Sequence, residues 1–127
     1  MNLNQVTLPA HDIERSVAFY RAMGFEQIVG APHYARFACP AGDATFSVHL
    51  VDDPRRDTGV VVYFECERLD ERIAELEGKG FTFTRPPTDE RWLWREARLL
   101  DPAGNTLCLY HAGANRKDPP WRLRAAD

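Results

Sequence analysis

Val6-Thr7-Leu8-Pro9-Ala10-His11-Asp12-Ile13-Glu14-Arg15-Ser16-Val17-Ala18-Phe19-Tyr20, closed by Met23-Gly24-Phe25, is the stretch that decides the fold. Val6, Leu8 and Ala10 alternate, the period of a strand with one buried face. Asp12 follows as a helix N-cap, since its carboxylate can accept from the orphan N–H groups of the next turn. Ile13, Val17 and Tyr20 then recur along one face of an amphipathic helix. Gly24 ends it, because glycine takes the left-handed conformation at little cost, and Phe25–Val29 reads as the next strand.

Outward from this stretch, Pro32 marks a turn, and Tyr34–Cys39 and Ala44–Val51 are strand-like, joined by the turn Pro40-Ala41-Gly42-Asp43. Asp52–Thr58, charged and holding Pro54, is the expected linker. The second half repeats the order. Val60–Cys66 is a strand, Leu69, Ile73 and Leu76 keep helical spacing, and Gly80-Phe81 closes the helix. Adding 56 carries Val6 to Val62, Leu8 to Phe64, Ile13 to Leu69, Val17 to Ile73, Tyr20 to Leu76, Gly24 to Gly80 and Phe25 to Phe81. Pro40-Ala41-Gly42 returns later, as Pro102-Ala103-Gly104, so the second copy has a longer middle around Pro86-Pro87-Thr88 and Trp92-Leu93-Trp94. The chain is an internal duplication.

The chain has 127 residues, room for one domain but not for two independent cores. Its net charge of −3 and lack of a basic block exclude a phosphate-neutralising surface, so no nucleic-acid partner is expected. No apolar run approaches the roughly 20 residues that span a bilayer, and Met1-Asn2-Leu3-Asn4 does not open a secretory leader. Cys39, Cys66 and Cys108 are odd in number and unpaired in spacing, which reads as reduced thiols in a cytoplasmic protein.

The strand and helix from Val6 to Tyr20, Met23-Gly24-Phe25, Leu76, Gly80 and the turn Asp101-Pro102-Ala103-Gly104-Asn105 leading into Leu107-Cys108-Leu109 resemble the vicinal oxygen chelate superfamily. Its members include glyoxalase I, bleomycin-resistance proteins and extradiol dioxygenases. The resemblance implies an α+β fold of two βαβββ modules, about 1–52 and 58–112, forming a curled mixed sheet around a cavity. Residues 113–127 would be a tail, and a homodimer is implied. In the family's enzymes one His, Glu or Gln from the first and last strand of each module holds a divalent metal, a Lewis acid that polarises a carbonyl or steadies an enediolate.

Alternation then sorts the residues of this chain. With Val6, Leu8 and Ala10 under the helix, Gln5 and Thr7 face the cavity, and Gln5 falls at the first ligand position. In the last strand of module one Ser47 and His49 both face it, and the register between them is open. Val61, Tyr63 and Glu65 face it in module two, with Val61 at the ligand position; Cys108 stands where the metal enzymes carry glutamate. Val and Cys make a poor set for an oxygen-preferring metal, so no cofactor is expected. The alternative is a nickel, zinc, manganese or iron site built from Gln5, His49 and Glu65, in a lyase or dioxygenase of the glyoxalase type.

Without metal, Tyr63, Tyr110 and one or both of Trp92 and Trp94 give the cavity an aromatic lining, while Gln5, Thr7, His49 and Glu65 add polar handles and Ser47 and Cys108 complete the expected ligand-binding set, the make-up of a small-molecule site. His49 is the best general base and Glu65 its orienter; read structurally, they are a hydrogen-bonded wall residue and a strand-end carboxylate paired with an arginine. Glu96, between Arg95 and Arg98, is expected in surface ion pairs. Trp121, after Pro119-Pro120, either ends a loose tail or docks, in this chain or across a dimer.

Overall fold

In the computed structural model residues 1–52 and 59–124 are described, so the expected linker lies, beyond Asp52, outside the described residues. The chain forms two compact units, one comprising Met1–Val60 with Leu100–Asn105, the other Val61–Leu99 with Thr106–Asp127.

The first unit runs β1 (Gln5–Ala10), α1 (Ile13–Met23), β2 (Glu26–Ala31), β3 (Tyr34–Ala38) and β4 (Thr45–Leu50). Its sheet order is β1-β4-β3-β2, with β1 parallel to β4 and the other neighbours antiparallel. Asp12 caps α1, accepting from Arg15 N–H at 3.1 Å. At the other end Gly24 (φ 106°) donates to Arg21 C=O and Phe25 to Tyr20 C=O. Those two bonds satisfy the last carbonyls of the helix.

The buried stripe of α1 is Ser16, Tyr20 and Met23, with Ile13 and Val17 on its half-buried flank. The stripe lies on Leu8, Ala10, Ala35, Phe37, Phe46 and Val48. β2 extends two residues beyond the expected strand, to Ala31. A register shift between Gln27 and Val29 leaves Ile28 exposed, an irregularity that discourages further pairing at an open edge.

Tyr20 is fully buried at the centre of this unit. Its ring lies edge-on to Phe46 at 4.9 Å and near Phe37 at 5.5 Å and Phe19 at 5.1 Å. Its hydroxyl donates to Asp101 Oδ2 at 2.6 Å. Asp101 also accepts from Ala103 N–H, Asn105 N–H and Asn105 Nδ2, and Asn105 Nδ2 donates in turn to Pro9 C=O at 2.9 Å. Burial first, and then the neighbouring Asp101, hold the Tyr20 phenol well above its ordinary pKa.

The second unit runs β5 (Val61–Glu65), α2 (Leu69–Gly78), β6 (Arg85–Asp89), β7 (Arg95–Leu100, its last residue in the first unit) and β8 (Thr106–His111), followed by a 3-10 turn at Gly113–Arg116. The order is β5-β8-β7-β6, with β5 parallel to β8. The same helix ending recurs: Gly80 (φ 96°) donates to Glu77 C=O and Phe81 to Leu76 C=O. This shared geometry is why Gly24-Phe25 and Gly80-Phe81 match in the repeat. Leu69, Ile73 and Leu76 pack over Ala97, Leu99, Leu107 and Leu109. Pro86-Pro87 falls inside β6, an edge strand with a register shift between Arg85 and Thr88, where missing N–H groups are tolerated. Trp121 is 56% exposed and does not dock within this chain. Among the described residues no helix is long and apolar enough to cross a membrane.

Tyr20→Phe keeps the ring packing and removes the donor to Asp101. A loss of roughly 1.5–3 kcal/mol is expected, the usual worth of a bond to a carboxylate, read as a lower urea midpoint. An unchanged midpoint would mean that the turn's own N–H groups satisfy Asp101.

Candidate functional site

Each sheet has one face under its helix and one facing away, and alternation puts the candidate residues on the latter. In the first unit this face carries Gln5, Thr7, Ser47, Tyr34, Arg36 and His49. Thr45 Oγ1 donates to Gln5 Oε1, Gln5 Nε2 donates to Ser47 Oγ at 2.9 Å, and the Thr7 and Ser47 hydroxyls share a bond of 2.8 Å. Ser47 has no exposed surface. Tyr34 accepts from Arg36 Nε at 2.9 Å. Its phenol lies below the ordinary range because of the Ser47 hydroxyl, in spite of some burial, and with help from Arg36. His49 is exposed, across from Tyr34, with its ring 6.0 Å from that of His33.

The pairing registers resolve the choice between Ser47 and His49. Thr7 pairs with Ser47, and its repeat partner Tyr63 pairs with Cys108. Ser47 is therefore the counterpart of Cys108, and the first copy's turn is one residue longer. The four positions at which the resemblance implies ligands hold Gln5, Ser47, Val61 and Cys108. The glutamine oxygen already accepts from Thr45, the isopropyl group of Val61 has no donor atom, and the thiol is buried against the Glu96 carboxylate. Burial and then the Glu96 carboxylate push Cys108 up to about 12. This set does not fit a hard divalent cation. Among the described residues no group of three His, Cys, Asp or Glu side chains is placed to hold a metal ion.

In the second unit the outward face is aromatic. Trp94 stacks on Tyr110 with centroids 4.7 Å apart, and Tyr63 stands edge-on to both, at 5.9 and 5.5 Å. Tyr63 is 42% exposed, whereas Tyr110 is buried beneath it. Trp94 Nε1 donates to Asn115 C=O at 3.2 Å, and a groove of about 520 Å³ runs past Trp94 between Glu90–Leu93 and His111–Asn115.

Glu96 is not a surface residue. Ala97 and Leu99 take the helix side of β7, so Glu96 and Arg98 must face outward, and Glu96 lies only 2% exposed. It accepts from Trp92 Nε1 at 2.6 Å, from the Cys108 thiol at 3.5 Å and from Arg98 Nη2 at 3.4 Å. The alternation of Ala97 and Leu99 carries this signal, but the charged neighbours Arg95 and Arg98 hide it. Trp92 is delivered by a tight hairpin in which Glu90 N–H donates to Trp94 C=O and Leu93 N–H to Glu90 C=O. Leu93 there has φ 68°, a conformation that favours glycine.

Glu65 is committed to the chain that follows β8. Its Oε2 accepts from Ala112 N–H at 2.8 Å and Gly113 N–H at 2.9 Å, and Arg116 lies 3.8 Å from Oε1. Burial raises its pKa, but the two N–H bonds, with His111 and Arg116, outweigh burial and leave it lowered.

A family model, the Glyoxalase/Bleomycin resistance protein/Dioxygenase superfamily, matches residues 2–109. The chain belongs to this superfamily. Among solved structures, a glyoxalase/bleomycin resistance protein/dioxygenase from Nocardioides is similar, with TM-score 0.75, 23% identity, and 98% of this chain and 90% of that one covered. A lactoylglutathione lyase from Agrobacterium tumefaciens gives 0.73 at 18% identity, covering 87% and 92%. A bleomycin-binding protein complexed with bleomycin gives 0.71 at 18%, covering 87% and 98%. At these identities the likeness is one of fold, and a superfamily fold hosts many chemistries. No curated protein matches the chain by sequence.

Glu65→Gln should speed amide exchange at Ala112 and Gly113. Since the folded carboxyl ionises more readily than in the unfolded chain, its stabilisation is complete above the unfolded value, about 4.3. It is lost as pH falls through the lower folded value. Protection, taken relative to the intrinsic exchange rate at each pH, that persists in acid or in the variant would show that other contacts hold the segment. Leu93→Gly should gain about 1 kcal/mol by relieving the left-handed leucine, read as a higher melting temperature. A lower one would mean that the leucine side chain contributes more than the strain costs.

Proposed function

We propose that the chain binds a small, flat organic molecule on the outward face of its second sheet, and does so without a divalent metal at the superfamily's ligand positions. The observation that carries this reading is the Trp94–Tyr110 stack, with Tyr63 standing exposed at its side. Aromatic surface that is rigidly packed yet open offers area for stacking at little entropic cost. A bleomycin-binding protein among the structural relatives fits a binding role. A lactoylglutathione lyase keeps the alternative of a metal-dependent enzyme in view, but Val61, with no donor atom, and the thiol of Cys108 at the position of a family carboxylate speak against it. In this reading Gln5, Thr7 and Ser47 are a hydrogen-bonded floor in their own unit, His49 and Glu65 carry no chemical step, and the protein is a cytoplasmic homodimer.

Protein purified without chelators, and again after exposure to nickel, zinc, manganese and iron salts, should hold well under one equivalent of metal by elemental analysis. Stoichiometric metal lost on Gln5→Ala or Cys108→Ala would replace this reading with the lyase or dioxygenase one. Trp94→Ala should weaken a stacked aromatic ligand by roughly tenfold, as removal of one good aromatic contact implies. Equal affinity in the variant would move the site elsewhere.

A further inference from the structure

The outward face of the second sheet also has charge: Glu65 at its β5 end is paired with Arg116 and two backbone N–H groups, and on β7 the exposed charge is positive. Arg98 and Glu96 lie on adjacent outward positions of β7, but their side chains are 31% and 3% accessible. Only the guanidinium can meet a ligand. Its Nη2 carries both of its contacts, donating to Tyr63 Oη at 3.3 Å and to Glu96 Oε1 at 3.4 Å. Nε and Nη1 have no partner among the described residues and leave three N–H donors beside the exposed Tyr63 ring. Arg85 stands directly across from Arg98 in the β6–β7 pairing. Residues so paired share a face, and like charges placed opposite each other repel. Arg85 spends Nε and Nη2 on a single oxygen of Glu90.

Glu96 does not compete with an incoming anion. Its two oxygens are occupied by Trp92 Nε1, the Cys108 thiol and Arg98 itself, under cover of the Trp92 side chain. Its effect is to hold the guanidinium against the Tyr63 hydroxyl, so that the free N–H groups have a fixed direction. A planar, delocalised guanidinium held in this way favours carboxylate and similar oxyanions.

We propose that Arg98 is the anion-recognition residue of this face, and that the ligand is a planar aromatic carrying a carboxylate, its ring on the Tyr63–Trp94 surface and its oxygens on the open N–H groups of Arg98. This rests on the reading that the face binds a flat molecule, and adds the chemical class.

Three probes with one ring system separate the two ideas: 2-naphthoate, 2-naphthamide and 2-naphthylmethylammonium, titrated into the full chain by calorimetry. Naphthoate should bind roughly tenfold to a hundredfold more tightly than the amide, the range for a charge-assisted hydrogen bond, and the cation more weakly still. Arg98→Gln should remove the preference for naphthoate and leave the amide unchanged. Arg98→Lys, which keeps the charge without the fork, should restore part of it. Amide and acid binding alike would overturn the role of Arg98 and leave the stacking site standing. Tightest binding of the cation would give recognition to Glu96 and overturn it too. No binding by any of the three would remove both ideas.

Discussion

The first unit hangs on one hydrogen bond, from the buried Tyr20 hydroxyl to Asp101 at 2.6 Å. A phenol at the centre of an aromatic core would be costly if its hydroxyl had no acceptor. The acceptor arrives from 81 residues along the chain, in a turn whose carboxylate is already fixed by Ala103 and Asn105 N–H groups. Asn105 carries the connection on to Pro9. The helix motif and the Asp-Pro-Ala-Gly-Asn turn are thus two ends of a single polar junction, which ties α1, β1 and the turn together. The second copy has Leu76 where the first has Tyr20, and it has no such junction. Its helix packs through Leu69, Ile73 and Leu76, without a side-chain N-cap, and the Arg95 guanidinium of β7 donates to both Asp70 oxygens at 2.9 and 3.1 Å.

The outward faces differ as well. The pairs Thr7–Ser47 and Tyr63–Cys108 occupy equivalent places in the two sheets. In the first unit that place holds a hydroxyl and amide network running from Thr45 through Gln5 and Ser47 to Thr7. In the second it holds a thiol buried against a carboxylate under stacked rings.

Most of the architecture was legible because the signals were local and repeated. Asp12, Gly24 and Gly80 each act through bonds to residues within five positions, so they could be read directly from spacing. The same holds for alternation in β1, β5 and β8, which placed Gln5, Tyr63 and Cys108 on the correct faces. The choice between Ser47 and His49 was not legible, because it depends on one extra residue in a turn, and only strand pairing reveals it. Glu96 was misread for a different reason. Charge is a good guide to exposure for a lone residue, but β7 has its two small or apolar positions, Ala97 and Leu99, already committed to the helix side. Alternation then outranks charge and places the carboxylate inside. Glu65, too, was legible as a strand-end carboxylate near an arginine, but not as an acceptor for two backbone N–H groups.

The buried Glu96 has no evident value to stability. An ion pair taken out of water gains little over apolar side chains of the same shape, and β7 could have continued its face with leucine. The chain instead surrounds the carboxylate with an indole N–H, a thiol and a guanidinium. It also accepts a left-handed leucine in the hairpin that brings the indole into place. Strain of this kind persists where surrounding structure over-determines it. Here the determinants run in series: the hairpin sets Trp92, Trp92 and Cys108 set Glu96, and Glu96 sets Arg98 beside Tyr63. Cys108 and Glu96 in the middle of the series are buried, and Arg98 at its end reaches solvent beside the exposed Tyr63 ring. A sheet face selected only for packing would not need such an ordered series, whereas one that must hold a single guanidinium in one direction does.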